Sequence, residues 1–73
     1  MSMVNTEKEE KIIYELIQNN YNGVIPRYTL EGIILYEYNQ SIVRLYNIVM
    51  NLTLDDKLEL ISKDDGEYYK IKI

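Results

Sequence analysis

QSIVRLYNIVMNL, residues 40–52, carries apolar side chains at helical spacing: Ile42, Leu45, Val49 and Leu52, widened by Tyr46 and Ile48. Gln40, Ser41, Arg44, Asn47 and Asn51 fill the positions between them. Such a stripe predicts an amphipathic helix over 41–52, extendable by a turn through 53–57. It buries one side and shows the other to solvent or a partner. Gln, Asn, Ser and Arg are also the side chains that pair best with base edges in a major groove. The stretch therefore poses a choice between a central core helix and a recognition helix.

Toward the C-terminus the hydrophobic period changes from 3.6 to 2. Residues 58–63 (LELISK) and 67–73 (EYYKIKI) alternate on either side of Asp64-Asp65-Gly66, and Asp-Gly between alternating runs is a strong hairpin signal. With Asp65-Gly66 as the central turn pair, Asp64 faces Glu67, Leu60 faces Ile71, Glu59 faces Lys72 as a charge pair, and Leu58 faces Ile73. One face is then Leu58, Leu60, Tyr69, Ile71 and Ile73. A slip of one residue would turn Lys70 and Lys72 into the core.

Toward the N-terminus, Thr29 is placed to cap a helix over 30–38 with Ile33, Ile34 and Tyr38 facing inward. Gly32 inside that helix predicts close approach of another backbone. Residues 38–41 form a short turn in which Asn39 or Ser41 caps the next helix. Val24-Ile25-Pro26 is extended, since Pro26 disfavours a helical Ile25, and such a segment fits as a strand beside the hairpin. Before it, Asn19-Asn20-Tyr21-Asn22-Gly23 is a helix stop. Thr6 to Glu9 fits a capping box that opens a first helix over 7–20, with Ile12, Ile13, Leu16 and Ile17 as its buried stripe. Glu7 and Glu15 are each four residues from Lys11, at ion-pair spacing. Residues 1–5 have no pattern and are expected to be disordered, leaving 6–73 as one domain.

Composition narrows the function. Among the 73 residues there is no cysteine and no histidine, so disulfides, thiolate or imidazole metal sites and Ser-His pairs are all excluded. The carboxylates, lysines and tyrosines that remain form no catalytic motif; neither an enzyme nor a cofactor is expected. Net charge is −4, which opposes sequence-independent grip on phosphate. Eight tyrosines exceed what so small a core can fully bury, so several belong at half-exposed or interface positions. No apolar run approaches the roughly 20 residues that cross a bilayer. The acidic N-terminus is unlike a secretory signal, and a cytoplasmic protein with no membrane association is expected. Abundant Ile, Asn, Lys, Glu and Tyr without alanine suggests an AT-rich genome, such as that of a virus or mobile element.

Helix, short strand, helix, tight turn, helix and C-terminal β-hairpin together form an α+β arrangement that resembles the winged helix-turn-helix superfamily over residues 6–73. The resemblance rests on element order, Val24-Ile25-Pro26, Gly32 and the hairpin at Asp65-Gly66. It implies sequence-specific binding of double-stranded DNA by a small, homodimeric transcriptional regulator. Gln40, Ser41, Arg44, Asn47 and Asn51 would meet bases or phosphates from the recognition helix. Lys63, Lys70 and Lys72 would be wing contacts, and Arg27 and Tyr28 at the start of the second helix would touch phosphate.

Two departures support an alternative. The third helix offers one cation, and the wing tip, Asp64 to Glu67, is acidic. An acidic protein-interaction module, phage- or virus-encoded and directed at a basic host protein, fits both. Under either reading Met50, Leu54 and a tyrosine suit a two-fold interface, unless Met50 and Leu54 close the bottom of the monomer core. A ribbon-helix-helix dimer would leave the C-terminal hairpin unexplained.

Overall fold

The structure is a computed structural model that describes residues 3–72, with side chains from residue 7 onward. It is a small α+β domain of three helices and a three-stranded antiparallel sheet. In chain order these are α1 (Met3–Gln18), a single 3-10 turn (Tyr21–Gly23), β1 (Val24–Pro26), α2 (Arg27–Tyr36), α3 (Ile42–Leu54), β2 (Leu58–Lys63) and β3 (Gly66–Ile71). The sheet order is β1-β3-β2, so the short strand joins the hairpin as its third member.

α1 begins earlier than the capping box implies. Residues 3–5, expected to be disordered, are helical, which places Thr6 inside the helix; residues 1 and 2 lie outside the described range. No Gly or Pro in this stretch obstructs a helix, and the box is only one of several ways to start one. The Lys11 pairs with Glu7 and Glu15 are not among the ion pairs of the described residues. α1 ends at Gln18, two residues before Asn20; Asn20 is extended (ψ 163°), and Asn22 (φ 59°) and Gly23 (φ 67°) turn left-handed beyond it. Asn20 Nδ2 then donates to the Val24 carbonyl at 2.6 Å, tying the turn to the strand.

α2 starts at Arg27 rather than Leu30. Pro26 occupies the cap position at φ −60° and ψ 140°, with no side-chain cap, so Thr29 is already helical. Proline has no N–H to satisfy and its φ suits a strand that runs straight into a helix. The helix also ends early, at Tyr36, since Asn39 (φ 56°) takes the left-handed conformation. Tyr38 consequently lies outside α2 and is 42% exposed instead of facing the core. Ser41 caps α3, its Oγ accepting from the Arg44 N–H at 3.1 Å. α3 closes through Asp56 (φ 64°), with the Lys57 N–H donating to the Leu52 carbonyl at 2.9 Å, and the chain reverses into β2.

The hairpin turn sits one residue earlier than Asp65-Gly66 implies. Lys63 pairs with Gly66, Ser62 with Glu67, Leu60 with Tyr69, Glu59 with Lys70 and Leu58 with Ile71. Asp64 and Asp65 are the central residues, neither has positive φ, and Gly66 alone takes it, at 136°. A turn centred on Asp65-Gly66 would have required a left-handed aspartate. Shifting the pairing by two keeps every side chain on its expected face. It also sets Ser62, not Asp64, against Glu67, and gives Glu59 a lysine partner at Lys70 instead of Lys72. Ile73 lies outside the described residues.

Buried Ile13 and Ile17 of α1, Leu30 and Ile34 of α2, and Leu45, Ile48, Val49 and Leu52 of α3 close over Ile25, Leu58, Tyr69 and Ile71 of the sheet. Leu60, on the same sheet face, is 50% exposed because it lies nearer the hairpin tip than the packed residues. Met50 and Leu54 do not close the core: they are 60% and 77% exposed.

Gly32 has no backbone neighbour to accommodate. A Cβ built there meets nothing within 4 Å, so the expected close approach is absent. Gly32→Ala should therefore stabilise the domain by about 0.5–1 kcal/mol, read as a higher urea midpoint with an unchanged slope.

Candidate functional site

The residues expected to meet DNA fall into separate groups, and carboxylates occupy most of the cations. Arg27 opens α2 beside the hairpin. Its Nε donates to Glu31 Oε2 at 3.0 Å, Nη1 donates to Glu67, and Nη2 donates to the Tyr46 hydroxyl at 2.7 Å. Tyr46 in turn donates to Glu31 Oε2 at 2.6 Å, and its ring lies 5.0 Å from the guanidinium carbon. The i,i+4 spacing of Arg27 and Glu31 is visible in sequence; Glu67 and Tyr46 arrive only through the tertiary fold. Tyr46, expected to widen the core stripe, instead joins α3 to this network. Hydrogen bonds that Arg27 donates to Tyr46, Glu67 and Glu31 hold its pKa above its ordinary value.

Arg44 lies on the opposite flank of α3, against α1. Its Nε is 2.9 Å from both Glu9 oxygens and Nη2 is 2.7 Å from Oε1. The hydrogen bond and charge of Glu9 raise its pKa. A guanidinium so engaged must break that pair before it can read a guanine edge.

The three lysines belong to the sheet face turned from the helices or to its end. Lys63 Nζ sits 4.8 Å from the Tyr68 ring centroid, and the Tyr68 hydroxyl donates to Asp65 Oδ2 at 2.7 Å. Lys70 stands between Glu59 and Val24 in the sheet register. Lys72 Nζ is 2.6 Å from Asp56 Oδ1, and its pKa is raised by that hydrogen bond. Tyr28 is well exposed near the start of α2. Arg27, Arg44 and Lys72 thus each hold a carboxylate, while Lys63 lies over Tyr68, whose strand position faces Pro26 beside Arg27.

The outward side of α3 has a different chemistry. Val43, Met50 and Leu54 are 69%, 60% and 77% exposed, with Asn47 between them and Asn51 beside them. The spacing of Val43, Asn47, Met50 and Leu54 is 4-3-4, so all four share one helix face. Val43 was missed as a candidate in the sequence because it falls outside the stripe of Leu45, Val49 and Leu52. Reading the helix for a second apolar stripe would have found it. Gln40 is exposed, and Ser41 is spent on the cap.

A half-open cleft of about 220 Å³ lies between α1, the end of α2 and the first half of α3. Its walls are mainly isoleucine and leucine, and Arg44 with Glu9 stands at its rim. Among the described residues, no cluster of His, Cys, Asp or Glu is arranged to hold a metal, and no helix is long and apolar enough to cross a membrane. Comparison with family models, curated proteins and solved structures gave no match to any of them.

Tyr69 lies beneath the Arg27 network, and its burial pushes the hydroxyl pKa above its ordinary value, against a smaller lowering by Arg27. Tyr68 and Lys72 are shifted the same way by Asp65 and Asp56. For each group the folded state holds its proton more tightly than the unfolded chain. Their stabilisation is therefore complete below about pH 10 and declines as pH rises through the raised folded values. Urea midpoints should stay level from about pH 8 to about pH 10 and fall above that, and Tyr69→Phe should flatten that decline.

Proposed function

We propose that the chain is a winged-helix domain that works as a protein-interaction module, and that two copies join through the outward side of α3. One observation carries this reading. The helix face that would enter a major groove is apolar at Val43, Met50 and Leu54, while the nearest cations, Arg44 and Arg27, are held by carboxylates on either flank. Element order and the sheet order β1-β3-β2 support the winged-helix description.

The stripe is complementary to itself. An antiparallel two-fold pair centred between Ile48 and Val49 sets Val43 of one copy against Leu54 of the other. The same operation sets Asn47 against Met50 and Tyr46 against Asn51. Asp55 then lies beside the N-terminus of the opposite helix, where the helix dipole favours an anion. Asn47, set within the apolar stripe, favours a single register. The wing tips, Asp64 and Asp65, remain exposed and would steer a basic protein partner. No catalytic step enters this function.

Sedimentation from about 1 μM to 1 mM should show a monomer passing to a dimer with a dissociation constant in the micromolar range. Met50→Glu and Leu54→Lys, both at exposed positions, should leave the fold intact and weaken association at least about tenfold, or 1.4 kcal/mol. A wild-type chain that stays monomeric throughout would overturn the proposal.

Sequence-specific duplex binding draws on a different observation: Gln40, Asn47 and Asn51 are exposed, and Lys63 and Lys70 make no ion pair among the described residues. The two functions compete for one helix face. Selection against random duplexes at low salt should therefore yield no sequence that Asn47→Ala releases; such a sequence would favour the regulator.

A further inference from the structure

We infer that the cleft between α1, α2 and α3 binds a small carboxylate with a compact apolar body, about the size of benzoate. The volume sets the size: about 220 Å³, part of it in the open mouth, compares with the roughly 150 Å³ of an enclosed apolar cavity that takes up benzene, so a single ring fits with its polar end outward. Half-buried Ile12 and the barely exposed edges of Ile13, Ile34, Leu45 and Ile48 line it, so the body that enters must be apolar. Its opening lets a polar end remain at the surface.

The rim sets the charge. Lys8 and Arg44 stand there with a single acid, Glu9, which gives the opening a net positive charge in a chain whose total is −4. Glu9 takes the donors on Nε and Nη2 of Arg44. A guanidinium carries five N–H donors, so those on Nη1 are left for an incoming carboxylate, and none of the described acceptors holds them. Tyr38 and Gln40 also border the cleft. An ammonium ligand would meet Arg44 and Lys8 instead. The cleft opens on the Arg44 flank of α3, away from the Val43–Leu54 stripe, so the site does not depend on how that stripe is used.

The test is titration of the ¹⁵N-labelled chain with benzoate, benzylamine and toluene, followed by amide shifts. Benzoate should give saturable shifts at Glu9, Ile12, Ile34, Arg44 and Ile48 with millimolar affinity, and benzylamine should give none there. Arg44→Gln, which keeps the hydrogen-bonding edge without the charge, should weaken benzoate at least tenfold while leaving toluene unchanged. Ile12→Trp, at a half-buried rim position, should block benzoate and toluene together. Absence of saturable benzoate shifts in the wild-type chain would overturn the assignment. So would equal binding of benzoate by Arg44→Gln, or benzylamine binding as tightly as benzoate.

Discussion

Packing against the buried side of α3 is the constraint on which the rest of the structure depends. Leu45, Ile48, Val49 and Leu52 are nearly inaccessible; α1 and α2 each close on them with two buried residues of their own, and the sheet with four. In a chain this short no disulfide or metal can replace that burial. A polar substitution at Leu45 or Leu52 would therefore expose every element at once. Ser41 at one end and the left-handed Asp56 at the other fix the length of the helix, and so fix which of its turns meet the core.

The same helix has a second apolar side that the monomer is too small to cover. Three layers already pack around α3, and the remaining face carries Val43, Met50 and Leu54 into solvent. Exposed apolar side chains scattered singly need no explanation, but Val43, Met50 and Leu54, at 7-4 spacing on one helix face, carry the proposed contact surface. Charge points the same way. The positive groups that a nucleic-acid surface needs are divided among the Glu31–Glu67 network, Glu9, the far sheet face and Asp56. A helix buried on one side and apolar on the other is the feature on which the proposed protein interface rests.

Much of the fold was legible in sequence because it depends on period and on local stops. The three helices, the strand at Val24–Pro26, the Ser41 cap and both faces of the hairpin follow from apolar spacing and from Asn and Gly at chain reversals. The errors share a cause, which is that several local signals were treated as decisive where the backbone had another solution. Pro26 started α2 before Thr29 was needed, Gly66 took the positive φ that Asp65 would otherwise have shared, and Gly32 marks no close approach. The candidate site was less legible. Glu9 is 35 residues from Arg44 and Glu67 is 40 from Arg27, so no spacing rule pairs them. Tyr46 looked like core because an apolar ring fits a helical stripe; its hydroxyl found Glu31 instead.

The most direct measurement uses the absence of native cysteine. A single nitroxide placed by Asn51→Cys, on the flank of the outward stripe, reports the distance between two copies by pulsed dipolar spectroscopy. Antiparallel α3 helices in contact, with axes roughly 8–10 Å apart, require one narrow distance peak below about 30 Å, and a label at Asp64 on the hairpin tip should give a longer one. A decay without any dipolar modulation from the Asn51 label at millimolar protein would contradict the assignment of α3 as the face on which two copies meet.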